Sequence, residues 1–156
     1  MNFAFVIRPA TLADVAEILR QRRGMYIDMG HTDVAGLDAM TASSERYLRS
    51  ALADGTLHAW LAVADSDRVV GGGIVSVTPR LSRPYFPECR EASILNVYVD
   101  PGYRRRGIAR QLLQVMIAWC RDAGFPHVSL HASKDGRALY ESLGFEPSSE
   151  LRLKLR

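Results

Sequence analysis

The residues best suited to chemistry are three consecutive arginines and a glycine, Arg104, Arg105, Arg106 and Gly107. They follow an apolar alternating run that stops at 100–102 (Asp-Pro-Gly), and helical spacing begins directly after them. This pattern predicts a strand that leads through a tight basic turn into a helix. The first N–H groups of a helix lack partners within it, and together with the positive end of the helix dipole they form a site for anions. Because arginines repel that end of the dipole, their position favours a bound phosphate or pyrophosphate over a solvated helix start.

The glycine and the two residues after it strengthen this prediction. Gly107 has no Cβ where a ligand would approach the backbone, and Ile108 and Ala109 add N–H groups in the first helical turn. Neither GxxxxGK[ST] nor GxGxxG occurs in the chain, so the turn is neither a P-loop nor a dinucleotide-binding fingerprint. The two cysteines, Cys89 and Cys120, have no CxxC spacing and no neighbouring histidine ligands, and we therefore predict no metal site and no disulfide framework.

Length and composition predict an ordinary globular protein. The 156 residues are 47% hydrophobic and 24% charged, which predicts one domain over residues 1–156 with a substantial core. No apolar run is long enough to cross a bilayer, so we expect a cytoplasmic protein without a membrane partner. The net charge of +3 suits small anionic ligands better than nucleic acid, although nucleic-acid binding through the arginines remains an alternative that steep salt dependence would reveal.

Hydrophobic periodicity and turn residues predict the elements that position this turn. Strands are expected over 3–7, 57–64, 69–78, 92–99, 127–131 and 151–155, and helices over 12–27, from Asp38 or Thr41 to Asp54, from Arg106 or Gly107 to Ala123, and over 134–143. Thr11 and Asp14 have the spacing of a capping box at the start of the first helix. Because helices and strands alternate in the second half, we expect an α/β layered fold with a parallel pair at 92–99 and 127–131.

Two segments in register, Arg104 to Ala109 and Ala138 to Phe145, together resemble the GNAT (Gcn5-related) N-acetyltransferases. The segment from Arg104 to Ala109 matches the [RQ]-x-x-G-x-[GA] acetyl-coenzyme A loop of that family, and residues 138–145 are similar to its A-x-x-L-Y-E-x-x-G-F segment, one position compressed. The resemblance covers residues 92–155. It implies an acyl-CoA N-acyltransferase-like fold, with a mixed, mostly antiparallel central sheet and helices on both faces.

The resemblance also implies a cosubstrate, acetyl-CoA, and the residues that bind it. The backbone amides that would bind its pyrophosphate belong to Arg104, Arg105, Arg106, Gly107, Ile108 and Ala109. The pantetheine arm would pair with the backbone of Val97 and Val99, beside a central strand that a bulge splays from its parallel neighbour. Ser133 stands where the family often has an asparagine that contacts the cofactor, and its hydroxyl replaces only part of that contact.

For catalysis, the resemblance implies that an amine attacks the thioester directly while Tyr140 acts as general acid toward the leaving thiolate. Some relatives use a glutamate as base at the position of Ser93, which cannot act as one. Strand alternation places Glu91 on the same face as Ser93, and we take it as the candidate base, with Asn96 on the opposite face. His31 and His131 remain rival bases.

The acceptor is expected to be a primary amine of a small molecule or a peptide. In this family the loops corresponding to 28–38 and 79–90 wall the acceptor site. Asp28, Asp33 and Asp38 in the first loop would attract a cation, or are simply solvated. An alternative is a non-catalytic coenzyme A-binding sensor on the same fold. An exposed strand edge at 151–155 would make a homodimer possible.

Overall fold

The structure, a computed structural model, describes residues 3–156, and one five-stranded sheet organises them. The strands lie in the order β1-β2-β3-β4-β5. They span Phe5–Pro9 (β1), Leu57–Ala64 (β2), Val69–Pro79 (β3), Arg90–Val99 (β4) and Val128–Leu130 (β5). The first four strands pair antiparallel, and β4 and β5 pair parallel. The expected mixed, mostly antiparallel sheet and the parallel pair are both confirmed.

Helices cover both faces of the sheet, as expected. They span Val15–Asp28 (α1), Val34–Asp54 (α2), Ile108–Asp122 (α3) and Arg137–Ser142 (α4). On one face α1 and α2 bury residues such as Ile18 and Leu48 against the strands. On the other face α3 buries Leu112, Leu113 and Met116, which agrees with the apolar stripe of that helix in the sequence. The central strand β4 lies between the two layers and contacts both α1 and α3.

The capping box predicted before α1 is present. The backbone N–H of Thr11 donates to the carboxylate of Asp14 at 2.8 Å, and the guanidinium of Arg8 donates to both oxygens of that carboxylate. The hydrogen bonds from Arg8, ahead of those from Thr11, lower the pKa of Asp14 to about 2. A short 3₁₀ turn over Leu12–Asp14 leads into α1.

Helix α2 begins earlier than the sequence predicted. It starts at Val34 after the N-cap Asp33, whereas we expected a loop as far as Asp38. Gly36, which favoured the loop, lies in the first turn against the Asp33 side chain. A glycine costs little at that position because the helix is held by the packing of Leu37 and Leu48 rather than by local propensity.

The predicted final strand over 151–155 is wrong. These residues form no strand, and Leu151, Leu153 and Leu155 are 95%, 81% and 86% exposed. Alternation fixes which side chains share a face, but a strand also needs a neighbour to bond. The nearest edge of the sheet is β5, which is only three residues long and pairs with β4 alone within residues 3–156.

In the part of the chain that the structure describes, no helix is both long and apolar enough to cross a membrane. Over the same residues, no three histidine, cysteine, aspartate or glutamate side chains gather as metal ligands would.

Candidate functional site

A bulge in β4 opens the sheet at the site. On β3 and β4 the paired residues pass from Ile74↔Leu95 to Gly72↔Tyr98. Two residues of β4, Asn96 and Val97, therefore lie opposite the single residue Gly73 of β3. Asn96 has φ of 58°, a left-handed conformation that asparagine tolerates better than most residues.

From Leu95 onward, which includes the bulge, β4 has no parallel neighbour among the described residues. Pairing of β4 with β5 ends at Ile94↔Leu130, whereas pairing with β3 continues to Val99. One edge of β4 over 95–99 therefore has no strand partner among the described residues. Val97 and Val99, which we predicted to pair with an extended ligand arm, lie on this segment.

The bulge also changes which side chains share a face. Ile94, Val97 and Val99 pack in the core under α3, whereas the Asn96 side chain accepts a hydrogen bond from Arg22 of α1 at 3.4 Å. The prediction that Asn96 faces away from Glu91 is wrong, because the extra residue shifts the alternation by one. The family resemblance implied a bulge in this strand, and an asparagine within an apolar strand is the sequence signal that marks its position.

The basic turn leaves backbone N–H groups available at the start of α3. Gly107 is the N-cap residue with φ of 81°, and Gln111 N–H donates the first helical bond to its carbonyl at 3.1 Å. The N–H groups of Ile108, Ala109 and Arg110 precede that bond and have no helical acceptor. Nothing lies within 4 Å of where a Cβ on Gly107 would be, so the glycine is needed here for its conformation.

The three arginines of the turn have different surroundings. Arg104 donates to the carbonyl of Val99 at 2.9 Å and forms an ion pair with Asp28 at the end of α1. The guanidinium of Arg106 lies over the Phe3 ring, 4.9 Å from its centroid, and Arg105 is exposed. Arg104 therefore fastens the turn to α1, and Arg105 and Arg106 carry the charge that an anion would meet.

Two of the three aspartates expected to attract the acceptor are already paired. Asp28 is held by Arg104, and Asp38 accepts a hydrogen bond from Arg23 at 2.8 Å. Asp33 is the N-cap residue of α2. These aspartates therefore have structural roles close to their own positions, which account for their presence in this segment.

Tyr140 lies on α4 with its ring half-buried against the core under α3. The ring meets Phe145 edge-on with centroids 6.0 Å apart. Burial raises the pKa of Tyr140 above its usual value of 10, so the phenol is protonated at neutral pH and able to donate a proton. Arg110 in the first turn of α3 donates to Ser142 of α4 at 2.9 Å, which ties this tyrosine's helix to the basic turn.

Ser133 lies in the turn that precedes α4. Its side-chain oxygen accepts a hydrogen bond from the backbone N–H of Gly136 at 3.1 Å. The hydroxyl hydrogen remains available, so this side chain can still donate one bond to a ligand.

The candidate bases differ in what surrounds them. The carboxylate of Glu91 forms an ion pair with Arg80 and lies 3.9 Å from Arg83, both in the loop after β3. Nδ1 of His131 lies 3.3 Å from Nη2 of Arg152. The ring of His31 packs edge-on against that of Tyr26, with centroids 5.3 Å apart.

Comparison with known proteins decides the family. The model of the acetyltransferase (GNAT) family matches residues 16–145. The chain belongs to the GNAT family. The structure of a GCN5-related N-acetyltransferase from Ralstonia eutropha JMP134 superposes with a TM-score of 0.87 at 29% identity, covering 97% of this chain and 99% of that one. A predicted acetyltransferase from Clostridium acetobutylicum, solved with acetyl-CoA, gives 0.85 at 25% identity over 97% of each chain.

Relatives by sequence agree with this membership. An uncharacterised N-acetyltransferase of Escherichia coli K12, YjgM, is 27% identical over 90% of this GNAT chain and 81% of its own length. Human N-acetyltransferase 8 is 32% identical over 56% of this chain, and the match spans only 39% of that protein. The family match and these relatives confirm the prediction of an acetyltransferase.

Proposed function

We propose that this protein transfers an acetyl group from acetyl-CoA to a primary amine, which attacks the thioester directly. The observation that carries the proposal is the edge of β4 beyond Ile94, which lacks a strand partner among residues 3–156 and leads to a turn rich in free N–H groups and arginine. An extended amide-bearing arm that ends in a pyrophosphate fits both features.

The residues proposed to hold acetyl-CoA follow from this fit. The backbone of Val97 and Val99 offers hydrogen-bonding groups along the open edge. The pyrophosphate would bind the amides of the turn and its two guanidinium groups that have no ion-pair partner within residues 3–156, those of Arg105 and Arg106. The turn comprises Arg104, Arg105, Arg106, Gly107, Ile108 and Ala109. The hydroxyl of Ser133 would donate one further hydrogen bond.

Tyr140 is proposed as the general acid. The amine nitrogen forms a bond to the acetyl carbon, the carbon–sulfur bond breaks, and the departing thiolate takes the phenolic proton. The acetylated nitrogen then releases its extra proton, which restores the phenol through solvent. The raised pKa of Tyr140 supports this role, because the group holds its proton until the thiolate forms.

Glu91 is proposed as the base that removes the proton of the ammonium form, through water. It lies on the face of β4 that α1 covers, because the residues before the bulge alternate and Ile94 faces α3. Its ion pairs with Arg80 and Arg83 compete with this role. That competition favours a second candidate function, a sensor that binds coenzyme A without transferring the acetyl group.

We further propose that the protein is cytoplasmic and forms a homodimer. Both cysteines are free in the structure, as in a reducing compartment. The exposed leucines of 151–155 offer an apolar surface that a second copy could cover.

A thiol-release assay with acetyl-CoA and a panel of small-molecule and peptide amines, with acetyl-CoA binding measured by calorimetry, tests the proposal. Turnover with any amine would support the enzyme. Binding without turnover on every amine would favour the sensor, and the absence of binding would contradict both.

A further inference from the structure

No carboxylate of the described residues balances the charge of Arg22, unlike that of the other arginines on α1. Arg20 pairs with Asp100 at 2.8 Å, and Arg23 pairs with Asp38 at the same distance. Arg22 has no carboxylate within 4 Å in residues 3–156, although its side chain is only partly exposed.

The hydrogen bonding of Arg22 is also incomplete. Its Nε is buried and has no hydrogen-bond partner among the described residues, and its Nη1 makes only a long bond of 3.4 Å to Asn96. A guanidinium group taken from water normally recovers the lost hydration through charged hydrogen bonds. An anion that a ligand brings to the partly exposed side of the Arg22 guanidinium would balance its charge.

The position of Arg22 would place such an anion near the part of β4 where the thioester is proposed to lie, and not at the basic turn. Arg22 reaches the bulge residue Asn96, where β4 parts from β5, whereas residues 104–109 follow the far end of β4. The Arg22 guanidinium lies over the ring of Tyr26, 5.2 Å from its centroid. A planar guanidinium held in this way matches the two oxygens of a carboxylate.

We propose that Arg22 is a specificity-determining residue that binds a carboxylate of the acceptor, so that the acceptor is an amine with a carboxylate close to it, as in an amino acid. This inference rests on the proposed acetyl transfer. It narrows the acceptor from any primary amine to a zwitterionic small molecule, which a peptide N-terminus is not.

The test compares matched acceptors in the thiol-release assay. The twenty L-amino acids are each paired with their C-terminal amides, and O-phosphoethanolamine is paired with ethanolamine. We expect kcat/KM to be higher by about 10- to 100-fold for at least one amino acid than for its amide, as the loss of a charged hydrogen bond predicts. A higher kcat/KM for the amides than for the amino acids would overturn the carboxylate assignment while leaving acetyl transfer intact. So would a higher kcat/KM for ethanolamine or O-phosphoethanolamine than for every amino acid. Failure of every amine would instead remove the proposed function and this inference with it.

Variants then show whether Arg22 is responsible. Arg22→Gln should bring the acid-to-amide ratio close to one, and Arg22→Lys should retain part of it, with acetyl-CoA affinity unchanged in both. The ratio does not depend on how much protein is folded. Arg23→Gln, an identical change at the next residue of α1, is the control and should keep the wild-type ratio. An unchanged ratio in Arg22→Gln would overturn the role of Arg22.

Discussion

Tyr140 shows how burial of a single side chain prepares it for chemistry. Its ring packs in the core under α3, and the loss of solvation makes the phenolate unfavourable, which raises the pKa. A protonated phenol beside the departing sulfur is the role that the family resemblance implied from the sequence. The sequence supplied the residue, and the packing supplies a physical reason for its protonation state.

We expect Tyr140→Phe to lower kcat by about 100-fold or more, because general acid catalysis contributes on that order. Acetyl-CoA affinity should stay within about threefold, since the ring and its packing are kept. In the wild type the rate should not fall on the alkaline side until the pH exceeds 10, as the raised pKa keeps the proton in place. A wild-type kcat in the variant would contradict the assignment.

Glu91 gives a sharper test of the base. Glu91→Gln should lower kcat at neutral pH, and a rise in pH should recover much of the loss, because more of the amine is then already deprotonated. Arg80→Gln, which removes one of its ion-pair partners, should leave kcat at or above the wild-type value. If Glu91→Gln transfers acetyl groups at the wild-type rate, Glu91 serves only to hold the loop after β3.

At the scale of elements, the turn before α3 depends on a left-handed glycine. Gly107→Glu should weaken acetyl-CoA binding by at least about tenfold in calorimetry, because it brings a negative charge to an anion site and strains φ at 81°. Gly55→Glu is the matched control. Gly55 has φ of 79° at the end of α2, with equally open space around it. The substitution there imposes the same backbone strain at a place far from the turn in sequence. Equal loss of affinity in both variants would show that strain alone is responsible.

The capping box before α1 predicts how stability depends on pH. Asp14→Asn should lower the free energy of unfolding by about 1 kcal/mol at pH 7. The folded pKa of Asp14 is about 2, below its unfolded value, so the stabilisation is present above pH 4 and is lost as the pH falls toward 2. Urea titrations of both proteins across this range should converge at acid pH. Glu45→Gln, which breaks the exposed pair with Arg49, is the control and should cost no more than about 0.5 kcal/mol. An Asp14→Asn deficit that persists unchanged at pH 2 would contradict this account.

At the scale of the whole molecule, the segment 151–155 is where a second copy could bind. If it forms the dimer, replacing Leu151, Leu153 and Leu155 by serine should convert the protein to a monomer in sedimentation velocity at micromolar concentration. The fold should survive, because these side chains are exposed and no strand depends on them. A wild-type protein that sediments as a monomer would remove the dimer.

The sequence by itself determined the elements whose residues repeat with a clear period and end at strong signals. The hairpin of β2 and β3, the basic turn, the apolar face of α3 and the short helix that carries Tyr140 could all be read from it, because local spacing and glycine placement fix them. The role expected for Tyr140 came from the family resemblance. Only the tertiary structure decided the rest. The bulge that the family resemblance implied falls at Asn96 and there reverses the alternation of β4. Ion pairs occupy Asp28 and Glu91, and residues 151–155 have no neighbour with which to form a strand. Each of these depends on contacts between residues far apart in the chain, and a one-dimensional pattern carries no information about which partner is within reach.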